Sequence, residues 1–424
     1  MSMRIPIIIV ALILHSNLIF CQNELIGELN KVIIPITTIS PDSNFSDIEK
    51  LIPLMKDKAI IGLGEATHGT HEFFVYKHRL TKFLASNLNF KTFIIEADFA
   101  GSQTMNEYVL SGKGDPNNGL WKMGIGVWMT DEFVEMVEWM RAYNSTRKNE
   151  DKIKFYGCDM QNPQIAAQKV KDYLAKNQKI NSLTESGLDW FINASYRKKN
   201  SKADKKIVEQ SLAELNHLFE SISDTNNREL QFVKHCNREL EQWLESFTTN
   251  DVKLRDKFMA ENTEWVYNFE NKDKAILWAH NMHIANSPGK LTPTGFQLKN
   301  GFGEKYYSFG FSFFSGNLRA FSTESQKYET YKIPPVSIEK SADKIFNQCT
   351  ASNFILDLKS ASTNDKINDF LDTELYTRCI GASYFPENNK NRNYCFAKLN
   401  SIYDGIIFFR NTNPSEAIKQ KNKQ

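Results

Sequence analysis

Gly62-Leu63-Gly64-Glu65-Ala66-Thr67-His68-Gly69-Thr70-His71-Glu72 follows an apolar run, Ala59–Ile61, and precedes an amphipathic one, Phe73–Leu84. That order reads as strand, glycine-rich turn, helix. Open α/β sheets present their chemistry at the carboxyl ends of strands. The turn carries a carboxylate and an imidazole three residues apart, Glu65 and His68. A carboxylate that holds a histidine in one tautomer makes it a usable general base near neutral pH. Helix capping accounts for one Thr or Glu of the stretch, but not for the whole set.

Working outward, apolar runs and amphipathic stretches alternate. Ala59–Gly64, Thr92–Ala97 and Ile153–Cys158 read as strands; Thr70–Asn87, Gly101–Leu110 and Asp131–Arg147 read as helices. Lys113–Met129, rich in Gly and Trp, reads as a long loop. From Gln164 to Asn271 Gly and Pro almost vanish, and apolar residues recur at three- and four-residue steps. That periodicity predicts a helical lobe, with Arg197-Lys198-Lys199 as a solvated helix end. Lys274–Ala279, Tyr306–Phe314, Phe354–Leu358 and Ile402–Phe409 return to short buried strands. The expected fold class is α/β: a layered sheet with flanking helices plus an inserted helical lobe. The expected divisions are 1–21, 22–163 (first part of the α/β core), 164–271 (helical lobe) and 272–424 (second part).

Residues 1–21 are expected to be a signal peptide. Arg4, a short apolar run and a small residue at Cys21 fit secretory cleavage, and the run is too short and interrupted for a membrane span. A lipid anchor on Cys21 is the second reading, disfavoured by the bulk of Phe20. Export to the periplasm or medium is therefore expected. Losing Arg4 takes 52 basic side chains to 51, against 50 acidic ones, a net charge of +1. So balanced a chain lacks the positive excess of a nucleic-acid groove, and 41 % hydrophobic residues suffice for a core. Oligomeric state is left open. Five cysteines follow Cys21: Cys158, Cys236, Cys349, Cys379 and Cys395. An odd number leaves one unpaired, and a disulfide is expected among the last three. Cys158, in an apolar strand, reads as packing.

Glu65 and His68 follow the first strand, Glu96 lies in the second, and His280 and His283 follow the strand at 274–279. Two chemistries fit. In one, His68 deprotonates water, Glu65 or Glu96 orients it, and nearby donors stabilise an oxyanion. In the other, Glu65-x-x-His68 and His280-x-x-His283 ligate a metal. No Gly-x-Ser-x-Gly elbow is present, and the turn lacks both a third dinucleotide glycine and a Walker lysine. Lys77 borders the helix's apolar stripe, where it either reaches over the sheet end or snorkels to water. His71 and His78 read as structural or exposed. Trp121, Trp128 and Met129 in the loop, with Phe74 of the helix, are candidate contacts for a large apolar substrate; ordinary packing explains each of them singly.

Gly64–Phe74, followed by Lys77-His78-Arg79-Leu80, resembles the signature of erythromycin esterases. The resemblance continues through Ile95-Glu96-Ala97, Trp128-Met129-Thr130, Val137–Arg141, Phe155–Gln161, Ala279–His283 and Tyr403–Phe409. It implies an α/β core with a helical lobe, and metal-independent, cofactor-free hydrolysis of a macrolide lactone by activated water, hence macrolide resistance. On this resemblance Glu65 and His68 match the acidic residue and the general base. Glu96 matches a second carboxylate, and His280 and His283 match paired histidines. Lys77 falls where a basic active-site residue is expected. The alternatives are a metal-dependent hydrolase of another envelope ester or amide, and a non-catalytic envelope binding protein.

Overall fold

The computed structural model describes residues 22–194, 202–224, 226–249, 251–289, 292–386 and 392–418. The expected signal peptide and the Arg197-Lys198-Lys199 run lie outside the described residues. In chain order the strands are β1 (Ile34–Pro35), β2 (Ile60–Leu63), β3 (Phe90–Asp98), β4 (Lys154–Asp159), β5 (Lys274–Trp278) and β6 (Tyr306–Ser322). β7 (Lys327–Ile333), β8 (Asn353–Asp357), β9 (Glu374–Arg378), β10 (Tyr394–Lys398) and β11 (Gly405–Thr412) follow. The fold is mixed α/β, sheet strands flanked by helices, and the chain divides into two units. One comprises the chain up to Leu88 with His280–Ser287 and Glu304–Glu416; the other comprises Asn89–Ala279, Pro288–Gly303 and the residues from Ala417 on.

In the first unit the strands run in the order β1-β8-β11-β6-β2, with β7 added to β6 and a separate β9–β10 hairpin. β2 lies parallel to β6, Ile60 opposite Tyr306 and Leu63 opposite Phe309. All four β2 residues are buried, as expected for a strand covered on both faces. The ladder continues one step further through Gly64, whose N–H donates to the Phe309 carbonyl at 2.8 Å. Beyond that the Asn281 side chain replaces a strand. Its amide donates to the Phe311 carbonyl at 2.7 Å and its oxygen accepts from the Phe311 N–H at 3.0 Å.

The turn then rests on backbone. Arg319 N–H donates to the Gly69 carbonyl at 2.9 Å, and so does Ser415 N–H at 3.0 Å. A Cβ on Gly69 would collide with the Arg319 carbonyl oxygen, so the close approach demands glycine. The helix His71–Leu88 starts where His71 N–H meets the Asn413 carbonyl at 2.9 Å. Glu72, in its first turn, accepts from the Asn413 backbone and side chain, each at 2.8 Å, where a carboxylate suits the helix dipole. Phe73 packs edge-on to Phe311 and Phe313, seating the helix on β6.

In the second unit β3 lies between β5 and β4, all parallel. Five helices then cover Pro163–Lys176, Ser182–Ile192, Lys202–Glu220, Arg228–Thr249 and Val252–Phe269, the helical stretch that the apolar spacing predicts. The Lys113–Met129 loop is corrected. It holds a helix, Pro116–Lys122, and a turn of 3-10 helix, Gly126–Trp128. Asp115 caps that helix by accepting from Asn117 N–H, and Pro116 opens it, a start signal masked by the surrounding glycines. Gly114 and Gly124, at φ +98° and +78°, bracket it. β6 also runs past Phe314 to Ser322, extended by antiparallel pairing with β7; β7 is largely exposed and shows no apolar run.

Gly69→Ala tests the seat of the turn. A methyl group against a fixed carbonyl is expected to cost about 1–3 kcal/mol, read as a lower denaturant midpoint with an unchanged slope.

Candidate active site

Glu65 is fully buried at the end of β2. Its Oε1 accepts from His68 Nδ1 at 2.5 Å and its Oε2 from Lys77 Nζ at 2.7 Å. Its backbone carbonyl accepts from Asn281 N–H at 2.9 Å. Burial pushes the Glu65 carboxyl up, but the Lys77 ammonium and then His68 outweigh it and hold the group at about 2. An ionised Glu65 cannot donate, so Nδ1 of His68 carries the proton and Nε2 is the basic nitrogen. The His68 side chain is 10 % exposed.

Lys77 does not snorkel. Its side chain is fully buried, its ammonium on Glu65 and 5.1 Å from the centre of the Phe311 ring. Arg79 points elsewhere, to Asp47 at 2.6 Å and the Asn44 carbonyl at 2.5 Å. His78 is a buried structural side chain, which burial and then Lys82 hold down at about 3, while His71 is half-buried.

The His280 ring lies 5.1 Å from that of His68, tilted by 41°. Both its nitrogens meet backbone: Nε2 the Ile380 carbonyl at 3.1 Å, and Nδ1 the Met282 N–H at 3.3 Å. A carbonyl accepts and an amide donates, so His280 is the neutral Nε2–H tautomer. It caps the short helix Asn281–Ile284, on which His283 is half-buried. Glu65, His68, Lys77 and His280 are thus brought together inside the first unit.

Glu96 belongs to the second unit. Its Oε1 accepts from Arg255 Nη2 at 2.8 Å, and the same guanidinium reaches Asp159 Oδ2 at 2.7 Å. Burial disfavours the Arg255 charge, yet Asp159 and then Glu96 raise its affinity for the proton well above the usual. Sequence reading missed Arg255: it sits among alternating charges on the Val252–Phe269 helix, with no local signal to single it out. Asp159 closes β4 and also accepts from Met160 N–H and the Gln161 amide.

The expected substrate contacts divide. Trp128 is a core side chain, its indole N–H donating to the Glu96 carbonyl at 3.1 Å and its ring edge-on to Trp278. Phe74 is buried in the helix's apolar stripe. Neither is open lining for a substrate, because the stripe and the loop spend these rings on packing. Trp121 is 72 % exposed and Met129 half-buried. A cavity of about 820 Å³ in the second unit, along Lys154, Tyr156, Lys169, Phe232 and Phe269, is lined by none of the candidate residues. Among the described residues no three His, Cys, Asp or Glu side chains are grouped to hold a metal. Each Glu65 oxygen faces a nitrogen donor, an arrangement suited to holding protons. Cys158 is buried, and burial, then Asp159, push its thiol well up, so it packs as expected.

Two tests follow from the Glu65 geometry. Lys77→Met leaves a buried carboxylate without its main counter-charge and is expected to cost about 3–5 kcal/mol at neutral pH, read by denaturant titration. Second, the carboxyl sits at about 2 in the fold against an ordinary 4.5. Its contribution, about 3 kcal/mol, is complete above pH 4.5 and fades as pH falls toward 2. Glu65→Gln is expected to flatten that part of the stability–pH curve.

The comparisons with known proteins agree with this architecture. The family model described as Erythromycin esterase matches residues 86–412, so the turn at 62–72 precedes the matched stretch. The erythromycin esterase type II of Escherichia coli is 25 % identical over 371 residues, 76 % of this chain and 85 % of that protein. A solved succinoglycan biosynthesis protein superposes with a TM-score of 0.83 at 26 % identity, covering 94 % of this chain and 99 % of its own. A variant of the erythromycin esterase EreC, in its open conformation, shares the fold at a TM-score of 0.70 and 16 % identity, over 91 % of this chain and 99 % of its own. Matched over most of its length, the chain belongs to the erythromycin esterase family.

Proposed function

We propose that this member of a hydrolase family opens carboxylic esters, a macrolide lactone among them, by attack of water with His68 as general base. The observation that carries the reading is the Glu65–His68 hydrogen bond, which leaves Nε2 as the basic nitrogen. In this reading His68 Nε2 takes a proton from water as the oxygen attacks the ester carbonyl. The tetrahedral intermediate then collapses, the C–O bond breaks, and the proton passes from His68 to the leaving alkoxide. One water is added and one acid and one alcohol, or one opened hydroxy acid, result. Glu65 fixes the tautomer and steadies the imidazolium, and Lys77 keeps Glu65 ionised. The His280 ring lies against that of His68, and His283 is assigned to the oxyanion or the leaving group. We further propose that residues 1–21 export the protein and that opening macrolides outside the cytoplasm protects the cell. The family resemblance and the match to an enzyme described as an erythromycin esterase support the lactone.

Mass spectrometry of erythromycin incubated with the purified protein is the test. A gain of about 18 Da, persisting with chelator present and lost in His68→Ala, is the expected result; general-base removal costs about 10²–10⁴-fold. Turnover by a folded His68→Ala at the wild-type rate would refute the base assignment. Lack of any mass change on erythromycin would remove the macrolide as substrate.

A further inference from the structure

The geometry points to a positioning element outside the catalytic turn: the Cys379–Cys395 disulfide, acting through the backbone of Ile380. Residues 378–382 form a strap tied through Arg378, Cys379, Ile380 and Ala382. Arg378 N–H donates to Asp343 Oδ2 at 2.8 Å, and Cys379 N–H to the Asn393 carbonyl at 3.0 Å. Ala382 accepts from Phe321 N–H at 2.9 Å. Between these ties Ile380 faces the site with both of its backbone groups. Its N–H donates to the Ala66 carbonyl at 2.5 Å, in the middle of the Glu65–His68 turn. Its carbonyl accepts from His280 Nε2 at 3.1 Å. One peptide segment therefore fixes both the turn that carries the base and the tautomer of the imidazole beside it.

What holds Ile380 is the adjoining hairpin. β9 ends at Arg378 and pairs antiparallel with β10, Thr377 opposite Cys395. One residue past Arg378 the Cys379 N–H still reaches the Asn393 carbonyl, and the covalent bond from Cys379 to Cys395 adds a second tie to the neighbouring strand. Cys379 is buried and Cys395 half-buried, so a small reductant has a sulfur to attack. Among the described residues the other cysteines, Cys158, Cys236 and Cys349, are buried and unpaired. With the cross-link cut, Ile380 keeps its hydrogen bonds only as well as the hairpin alone places it. A displacement of about 1 Å at such a contact costs up to about 10²-fold in rate. The kinetic part of this inference rests on the hydrolase reading; the structural part does not.

The test compares the oxidised protein with the same protein treated with a dithiol, dithiothreitol. Its two thiols pass two electrons and two protons to the S–S bond, giving two cysteine thiols and the cyclic disulfide of the reagent. Nitrogen-15 NMR of the imidazoles reads the His280 tautomer, and circular dichroism reads the fold. The oxidised protein is expected to show His280 with protonated Nε2 and bare Nδ1. On reduction the two nitrogen signals are expected to converge, and kcat on whichever ester the oxidised enzyme hydrolyses to fall about 10- to 100-fold with KM changed less than about twofold. Cys379→Ser/Cys395→Ser is expected to match the reduced protein and ignore the reagent, which separates the effect from any other thiol of the chain. Unchanged His280 signals on reduction would overturn the inference. So would loss of the whole circular dichroism spectrum, since the bond would then hold the chain and not the site. If the oxidised protein hydrolyses no ester, the hydrolase reading falls and the His280 signals alone decide this one.

Discussion

A carboxylate with no exposed surface, gripped by an ammonium on one oxygen and an imidazole on the other, organises the first unit. Taking Glu65 out of water is costly, and only two well-placed nitrogen donors offset that cost. Lys77 can be such a donor only if the His71–Leu88 helix begins at the right residue and faces the right way. The helix start in turn depends on Gly69 lying against β6 and on Asn413 meeting His71 and Glu72. The Phe311 ring beside Lys77 belongs to the strand that pairs with β2. Sheet register, helix phase and turn geometry thus share one electrostatic requirement, and a shift in any of them strands a charge.

The polar contacts around that carboxylate divide labour between side chains and backbone. Side chains supply charge: Glu65, Lys77, His68. Backbone supplies position: the carbonyls of Gly69 and Ala66 and the N–H of Asn281 each have a partner from a distant part of the chain. This suits the proposed role of His68, which needs one imidazole nitrogen kept basic. Backbone groups do not titrate, so these ties keep their geometry as the pH changes. Asn281 makes the same point from a side chain, a neutral amide finishing a sheet ladder where a strand has run out.

Much of this was legible in the chain itself. Apolar runs place β2, β3, β4 and β5 within a residue or two, and helical spacing marks 164–271, where the helices span Pro163 to Phe269, because both signals are local and periodic. Glu65 and His68 stood out since they share one turn. Lys77 was ambiguous because a lysine at the border of an apolar stripe looks the same whether its ammonium turns inward or outward. Arg255 and Ile380 were invisible for different reasons. An arginine on a charged helix carries no mark of the carboxylates it meets, and Ile380 acts through a peptide group that every residue possesses. Three cysteines near one another allow several pairings; the tertiary fold, absent from local pattern, brings Cys379 and Cys395 to a Cα separation of 5.5 Å and so selects that pair. Trp128 and Phe74 were read toward a substrate because large rings near a site serve packing and recognition equally well.

The ties between the turn and residues 413–415 carry a consequence for how the protein comes into being. Asn413 lies 341 residues downstream of Glu72, so a ribosome must add all of that intervening chain before the turn acquires its partners. Contacts of such long range close late, after the amino-terminal segments have begun to condense. The nascent chain therefore carries Glu65 and His68 through synthesis before the backbone frame that holds their turn exists.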